Sequence, residues 1–359
     1  MFVDEIYLNN FRNYESGYTK FSQSINVIYG DNARGKTNIL EAIYLLSTAR
    51  SHRLARETEM IMFGKQNAKI TAKFNSHKRD NIGEIMLFSD KKKQIKINKV
   101  PIDRASQLMG FLNVVMFCPE DLRLVKGAPK ERRRMIDLGI CQLRQKYFHS
   151  LSQYSKILEQ RNKLLKENPN SESLWVWNEK LVETGSNVIW YRNNYLKALS
   201  KRAKEIHFDI CGEDLEIEYD CGANITNFDE KASIMAHFSL EISKNLEREK
   251  RFGISLTGPH RDDFKISING KEARLFASQG QQRTAALSIK MAEVALIEND
   301  TGEMPILLLD DVLSELDDSR QNYILQNIKG IQVIITCTQK EKFDIIGEVN
   351  KINVEGVRL

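Results

Sequence analysis

Apolar positions along this chain follow two different rhythms. Ile25 to Tyr29, Pro305 to Leu309 and Ile331 to Thr338 are short, nearly unbroken apolar runs, the pattern of strands buried on both faces. The middle of the chain is different. From Lys130 to Glu167 the residues Ile136, Ile140, Leu143, Tyr147, Leu151, Tyr154, Leu158 and Leu165 recur mostly three or four apart, which marks one face of a helix. Asn168-Pro169-Asn170 interrupts it, and a second such face runs through Trp177, Leu181, Thr184, Val188, Tyr191, Tyr195, Leu199 and Ile206. The two faces predict one antiparallel helical hairpin on the order of 50 Å long. Beyond it, Leu215 to Tyr219 alternates like a half-exposed strand, and Ala232 to Lys250 reads as a further amphipathic helix. This layout predicts an α/β domain split by a helical insert: residues 1–124 and 254–359 form the α/β part and 125–253 the insert.

The first apolar run leads directly into chemistry. Gly30-Asp31-Asn32-Ala33-Arg34-Gly35-Lys36-Thr37 fits the phosphate-loop pattern GxxxxGK[ST] between a strand and the helix-like stretch Thr37 to Ser47. Glycines let the loop turn its backbone N–H groups inward, and the following helix N-terminus adds partial positive charge. ATP and Mg²⁺ are the expected ligands. Lys36 is expected at the β- and γ-phosphates, the Thr37 hydroxyl at Mg²⁺, and Asn38 beside them. The second run, Met304 to Asp311, ends in two carboxylates as a Walker B strand does. Asp310 is the candidate for the Mg²⁺ shell, and Asp311 for orienting the attacking water.

Ser278-Gln279-Gly280-Gln281-Gln282-Arg283-Thr284 opens a strongly helical stretch, and a serine and glycine at a helix start offer donors to an anion. Its place ahead of the Walker B strand resembles the signature element of ABC-type ATPases, whose Ser278, Gly280 and Gln281 equivalents contact ATP held by the other subunit. Ser314-Glu315-Leu316-Asp317 resembles the D-loop of the same class. Together with Asn10-Phe11-Arg12-Asn13-Tyr14, Gly35 to Ile43 and Gly258-Pro259-His260-Arg261-Asp262-Asp263, these motifs resemble the RecF family from the first strand to the last. The resemblance implies an ABC-type, SMC-like P-loop ATPase head that dimerises around ATP on double-stranded or gapped DNA. It further implies work with RecR and RecO to load RecA in recombinational repair and replication restart.

Some features depart from the wider ABC pattern. Asp311 stands where most of these ATPases have glutamate, which fits slow turnover. No switch histidine follows the Ile331 to Thr338 run, and Cys118-Pro119-Glu120-Asp121 replaces a clear glutamine loop. An ATPase subunit of a membrane transporter is the alternative reading, and it predicts a Leu-Ser-Gly-Gly-Gln signature and a switch histidine that the chain lacks. A phosphate-loop kinase would need neither signature nor D-loop.

Net charge is +5, too mild to identify a nucleic-acid binder by itself, so local clusters matter more. Lys126, Lys130, Arg132, Arg133 and Arg134 surround the start of the first long helix, and Lys91, Lys92, Lys93, Lys96 and Lys99 sit on a predicted hairpin. Either cluster is a solvated face or a contact to DNA phosphates; with the family resemblance, Lys126, Lys130, Arg132 and Arg133 are the DNA-binding candidates. Arg12 fits a phosphate contact or an ordinary ion pair equally well. The Gly258 to Asp263 motif reads as a structural turn with an Arg261 ion pair, since one histidine and two adjacent aspartates make a poor metal set. Five scattered cysteines read as free thiols. The chain start lacks a signal peptide and no run approaches a membrane span, so a cytoplasmic location is expected.

Overall fold

The computed structural model describes residues 1–53, 56–170, 172–338 and 349–357. The chain forms two compact units. The first comprises Met1–Arg123, Asp209–Cys211 and Arg283–Leu359; the second comprises Leu124–Phe208 and Gly212–Gln282.

Two sheets build the first unit. β1 (Phe2–Phe11), β2 (Tyr14–Lys20), β4 (Asn67–Ser76), β5 (Arg79–Phe88), β6 (Gln94–Ile97) and β7 (Val100–Ile102) make an antiparallel sheet in the order β2-β1-β4-β5-β6-β7. Its strands alternate buried and exposed positions, as β4 does along its length, because only one face meets the core. The second sheet is all parallel: β14 (Asn350–Asn353), β3 (Ile25–Tyr29), β13 (Val333–Cys337), β12 (Ile306–Asp310) and β8 (Val114–Phe117), in that order. Every residue of β12 is buried, as its continuous apolar run requires. β13 lies between β3 and β12, so residues at the C-terminal ends of all three strands share one edge of the sheet. α1 (Lys36–Thr48) leaves that edge and buries Ile39, Leu40, Ile43 and Leu45 completely.

In the second unit the predicted long helix is two helices, α2 (Pro129–Leu143) and α3 (Gln145–Glu167), broken at Arg144, whose backbone is extended. α4 (Leu174–Cys211) returns antiparallel to them: Arg161 Nε donates to Asn178 Oδ1 at one end, and Arg192 Nε to the Tyr147 hydroxyl at the other. Its 38 residues span about 57 Å. Arg161 has no solvent exposure and is held by Glu249 of α5 (Lys231–Phe252) at 2.6 Å, so the buried guanidinium is fully paired.

The insert does not end near residue 253. β9 (Leu215–Asp220) pairs with β10 (Asp263–Ile268), and β10 with β11 (Lys271–Glu272), forming a three-stranded antiparallel sheet within the second unit. The one-turn α6 (Ala273–Phe276) follows. The chain returns to the first unit at Arg283, inside α7 (Gln279–Thr301), instead of at the expected residue 254.

Candidate functional site

The loop between β3 and α1 has the backbone a phosphate cradle needs. Gly30 and Gly35 adopt φ of 143° and 108°, and a Cβ at either would lie 2.6 Å from Val354 Cγ1 or from the Asn13 side chain, so only glycine fits. Asp31, Asn32, Ala33 and Arg34 form the exposed rim. Lys36 is buried, and its Nζ donates to the Gly30 and Asp31 carbonyls at 2.6 and 3.0 Å, closing the loop on itself. No side chain caps α1, so its first turn presents backbone donors to whatever occupies the loop.

Thr37 and Asp310 meet at the C-terminal edge of the parallel sheet. The Thr37 hydroxyl donates to Asp310 Oδ1 at 2.7 Å. Thr336, at the end of β13, donates to the same oxygen at 2.7 Å, while its Oγ1 accepts the Asp311 backbone N–H at 2.9 Å. This third member went unrecognised in sequence, where it is one threonine ending an apolar strand. The register that pairs Asp310 with Thr336 supplies it. Asp311 is exposed, in a left-handed backbone conformation with φ 53°, and its carbonyl accepts from Ser314 Oγ at 2.7 Å. That conformation turns the chain away from the strand directly after Asp310.

Arg12 is committed to an ion pair. Its guanidinium makes a two-point contact with Glu41, Nε to Oε2 at 2.9 Å and Nη2 to Oε1 at 2.7 Å, and Nη1 donates to the Glu59 carbonyl. Burial pushes the Glu41 carboxyl up, yet hydrogen bonds from Arg12 and Ser51 outweigh it and hold the group below the usual range. Asn13 completes the support of the loop: its Nδ2 donates to the Arg34 carbonyl at 2.8 Å and its Oδ1 accepts from Asn38 at 2.9 Å. Arg12, Asn13, Asn38, Ile61, Met62 and Phe63 line an open cleft of about 690 Å³ beside the loop.

In the Cys118 to Asp121 segment, Asp121 accepts from Cys118 N at 3.0 Å and pairs with Lys290 of α7 at 3.2 Å. Burial works against the Lys290 ammonium, but Asp121 and Glu293 keep its pKa raised. The loop is thereby tied to α7.

Ser278 belongs to the second unit and is exposed. Its Oγ accepts from Gln281 N at 3.2 Å, and its own N–H donates to Gln281 Oε1 at 2.9 Å, a capping box at the start of α7. Gln281 Nε2 is held by Glu213 at 2.6 Å, and Gly280 is half-buried.

The basic cluster at the start of α2 divides. Lys126 and Lys130 are exposed. Arg132 is not available to DNA: it is 3% exposed, makes a two-point contact with Asp263 at 2.6 and 2.8 Å, and donates to the Leu124 and Gly127 carbonyls. Arg133 is half-buried, donates to the Asp262 carbonyl at 2.6 Å, and burial lowers its pKa. A phosphate contact by Arg132 would require breaking a buried pair, so that candidate is withdrawn. The same contacts explain Gly258 to Asp263. Arg192, not Arg261, neutralises Asp262 at 2.7 Å, with help from the Tyr219 hydroxyl and the Gly222 N–H at 2.8 Å. His260 donates Nε2–H to the Ser255 carbonyl at 3.0 Å and accepts from the Tyr154 hydroxyl at 2.6 Å; burial lowers its pKa to about 4. The motif is a structural lock.

A parallel sheet with a phosphate loop, a Walker B carboxylate on a buried strand two places along the same sheet and a helical insert ahead of a serine-capped helix defines an SMC-like, ABC-type ATPase head. Family comparison agrees: residues 2–357 match the RecF/RecN/SMC N-terminal domain. The chain is 44% identical to the DNA replication and repair protein RecF of Alkaliphilus oremlandii, over 95% of this chain and 94% of that one. To the RecF of Acetivibrio thermocellus it is 41% identical, with coverage of 96% and 95%. A solved structure of the recombination mediator protein RecF with ATP, in the RecFOR pathway, superposes with a TM-score of 0.92 at 37% identity, covering 99% of this chain and 96% of that one. An SMC head bound to the C-terminal winged-helix domain of ScpA shares the fold, with a TM-score of 0.55 at 16% identity and coverage of 95% and 90%. The chain belongs to the RecF family of DNA replication and repair proteins.

Proposed function

We propose that this protein is an ATP-gated DNA clamp: two copies close around ATP on double-stranded or gapped DNA, and slow hydrolysis opens them again. The observation that carries the reading is the cluster of Lys36, Thr37 and Asp310 around one glycine loop, with Thr37 Oγ1 and Asp310 Oδ1 2.7 Å apart. Two adjacent hard oxygen donors suit Mg²⁺, and Thr37 and Asp310 are the residues that would hold it. When bound, the ion offsets phosphate charge. Lys36 exchanges its carbonyl partners for β- and γ-phosphate oxygens, and the α1 N-terminus faces the same anion. Asp311 orients the water; with one methylene fewer than glutamate it reaches less far, which suits a switch more than a metabolic enzyme.

Ser278 of one copy completes the site of the other. Lys126 and Lys130 meet DNA phosphates without reading base edges. RecR, with RecO, is the protein partner, RecA loading the downstream event, and the cytoplasm the location. No helix among the described residues is long and apolar enough to cross a membrane, and the cysteines are free thiols, which fits that setting.

The test measures light scattering and phosphate release on one sample. ATP is expected to double the scattering mass, and duplex DNA to raise the release rate. A monomer with ATP, or turnover indifferent to DNA, contradicts the clamp.

A further inference from the structure

The second unit offers two large apolar side chains to solvent side by side. Leu275 and Phe276, on the one-turn helix α6, are 68% and 69% exposed. The turn that carries them is anchored: Ala273 is 1% exposed, α6 packs against β10 and β11, and Ala277 N bonds the Ala273 carbonyl at 3.1 Å. An ordered turn that holds a leucine and a phenylalanine in water is unfavourable unless something covers them.

Chain connectivity says what does. Phe276 lies two residues before Ser278, and two peptide units reach at most about 7 Å. Wherever Ser278 docks, Phe276 docks beside it. On the first unit, the cleft next to the phosphate loop has an apolar wall in which Ile61 is buried, Met62 half-buried and Phe63 103% exposed. That wall stands beside Asn13 and Asn38, which brace the loop that Ser278 of a second copy would face.

We propose that Leu275 and Phe276 of one copy pack against Met62 and Phe63 of the second copy, an inference that rests on the shared nucleotide site proposed above. The occupant is another copy of this chain and not DNA, because neither side chain offers anything to a phosphate and both are tethered to the element that approaches the partner's nucleotide. The contact supplies an apolar, salt-insensitive part of the association, beside the electrostatic part carried by ATP.

The test is ATP-dependent association followed by light scattering across protein concentrations. Leu275→Ser with Phe276→Ser is expected to raise the concentration for half-association about 30-fold or more, the effect of losing one central apolar anchor. Binding of a fluorescent ATP analogue by the monomer and the melting temperature stay at parental values, since both side chains are exposed. Phe63→Ser, on the other unit, acts in the same direction and adds little when combined with the pair, because both changes remove the same packing. Parental association of the double variant, in conditions where Ser278→Arg fails to associate, overturns the contact and leaves the shared site standing. Parental association of Ser278→Arg overturns both.

Discussion

Thr336→Val tests whether the third member of the site matters. Valine keeps the shape and the β-branching that suit β13, so the strand survives, while two hydrogen bonds vanish. The 2.7 Å bond to Asp310 Oδ1 goes, freeing the carboxylate to rotate away from Thr37, and the Asp311 N–H loses its acceptor at 2.9 Å. An unmet backbone donor in a part-buried position costs about 1–3 kcal/mol of stability. Residues that orient a metal-holding carboxylate typically account for about 10–100-fold in metal affinity or activity. Urea unfolding reads the first number; a magnesium titration of ATP hydrolysis reads the second. The expected result is a lower unfolding midpoint and a magnesium requirement raised at least tenfold, with Thr336→Ser restoring both. If the valine variant hydrolyses ATP at the parental rate and the parental magnesium concentration, Thr336 merely fills space and does not orient Asp310.

Two further outcomes follow from the second unit. The His260 pKa is depressed to about 4 against an unfolded value near 6.5, so the unfolded chain takes up the proton first and stability falls as pH drops through that window, by on the order of 3 kcal/mol at most; in His260→Gln the urea midpoint should lose that slope between pH 6.5 and 4, and an unchanged slope assigns the pH dependence to other groups. Charge reversal of Lys126 and Lys130 should weaken binding to every duplex sequence alike and reduce the slope of log affinity against log salt by roughly 0.9 for each phosphate no longer neutralised, whereas Arg132→Gln should appear first as lowered stability; an unaltered salt slope after both lysine changes moves the DNA path elsewhere.

What was legible in sequence was whatever local chemistry imposes. Gly30, Gly35, Lys36 and Thr37 act through the backbone of one turn, and an apolar run ending at Asp310 has few meanings once that turn is known. Asp310 and Thr37 meet because a parallel sheet brings the C-terminal ends of β3 and β12 to one edge. Thr336 was hidden because nothing in Ile331 to Thr338 distinguishes a ligand-orienting hydroxyl from a strand threonine; only the β12–β13 register does. Arg132 was misassigned for a related reason. A run of arginines at a helix start looks alike whether it faces water or Asp263, and its partner lies 131 residues away. The break at Arg144 carries no proline or glycine, and it falls where Tyr147 turns to meet Asp137 and Arg192. The end of the insert was placed too early because the β9–β10 pairing is non-local, whereas helix periodicity stops near Lys250.

The central claim is that one nucleotide is held by Lys36 of one copy and Ser278 of the other, and mixing two inactive variants tests it. Lys36→Met removes the loop's cation, and Ser278→Arg puts a bulky cation where the partner's nucleotide docks, so neither is expected to associate or turn over alone. A heterodimer of the two retains one intact site, built from Lys36 of the serine variant and Ser278 of the lysine variant. The account predicts that ATP-dependent association and phosphate release return on mixing and scale with the product of the two concentrations. No recovery, with both variants folded and the serine variant still binding ATP, would contradict it.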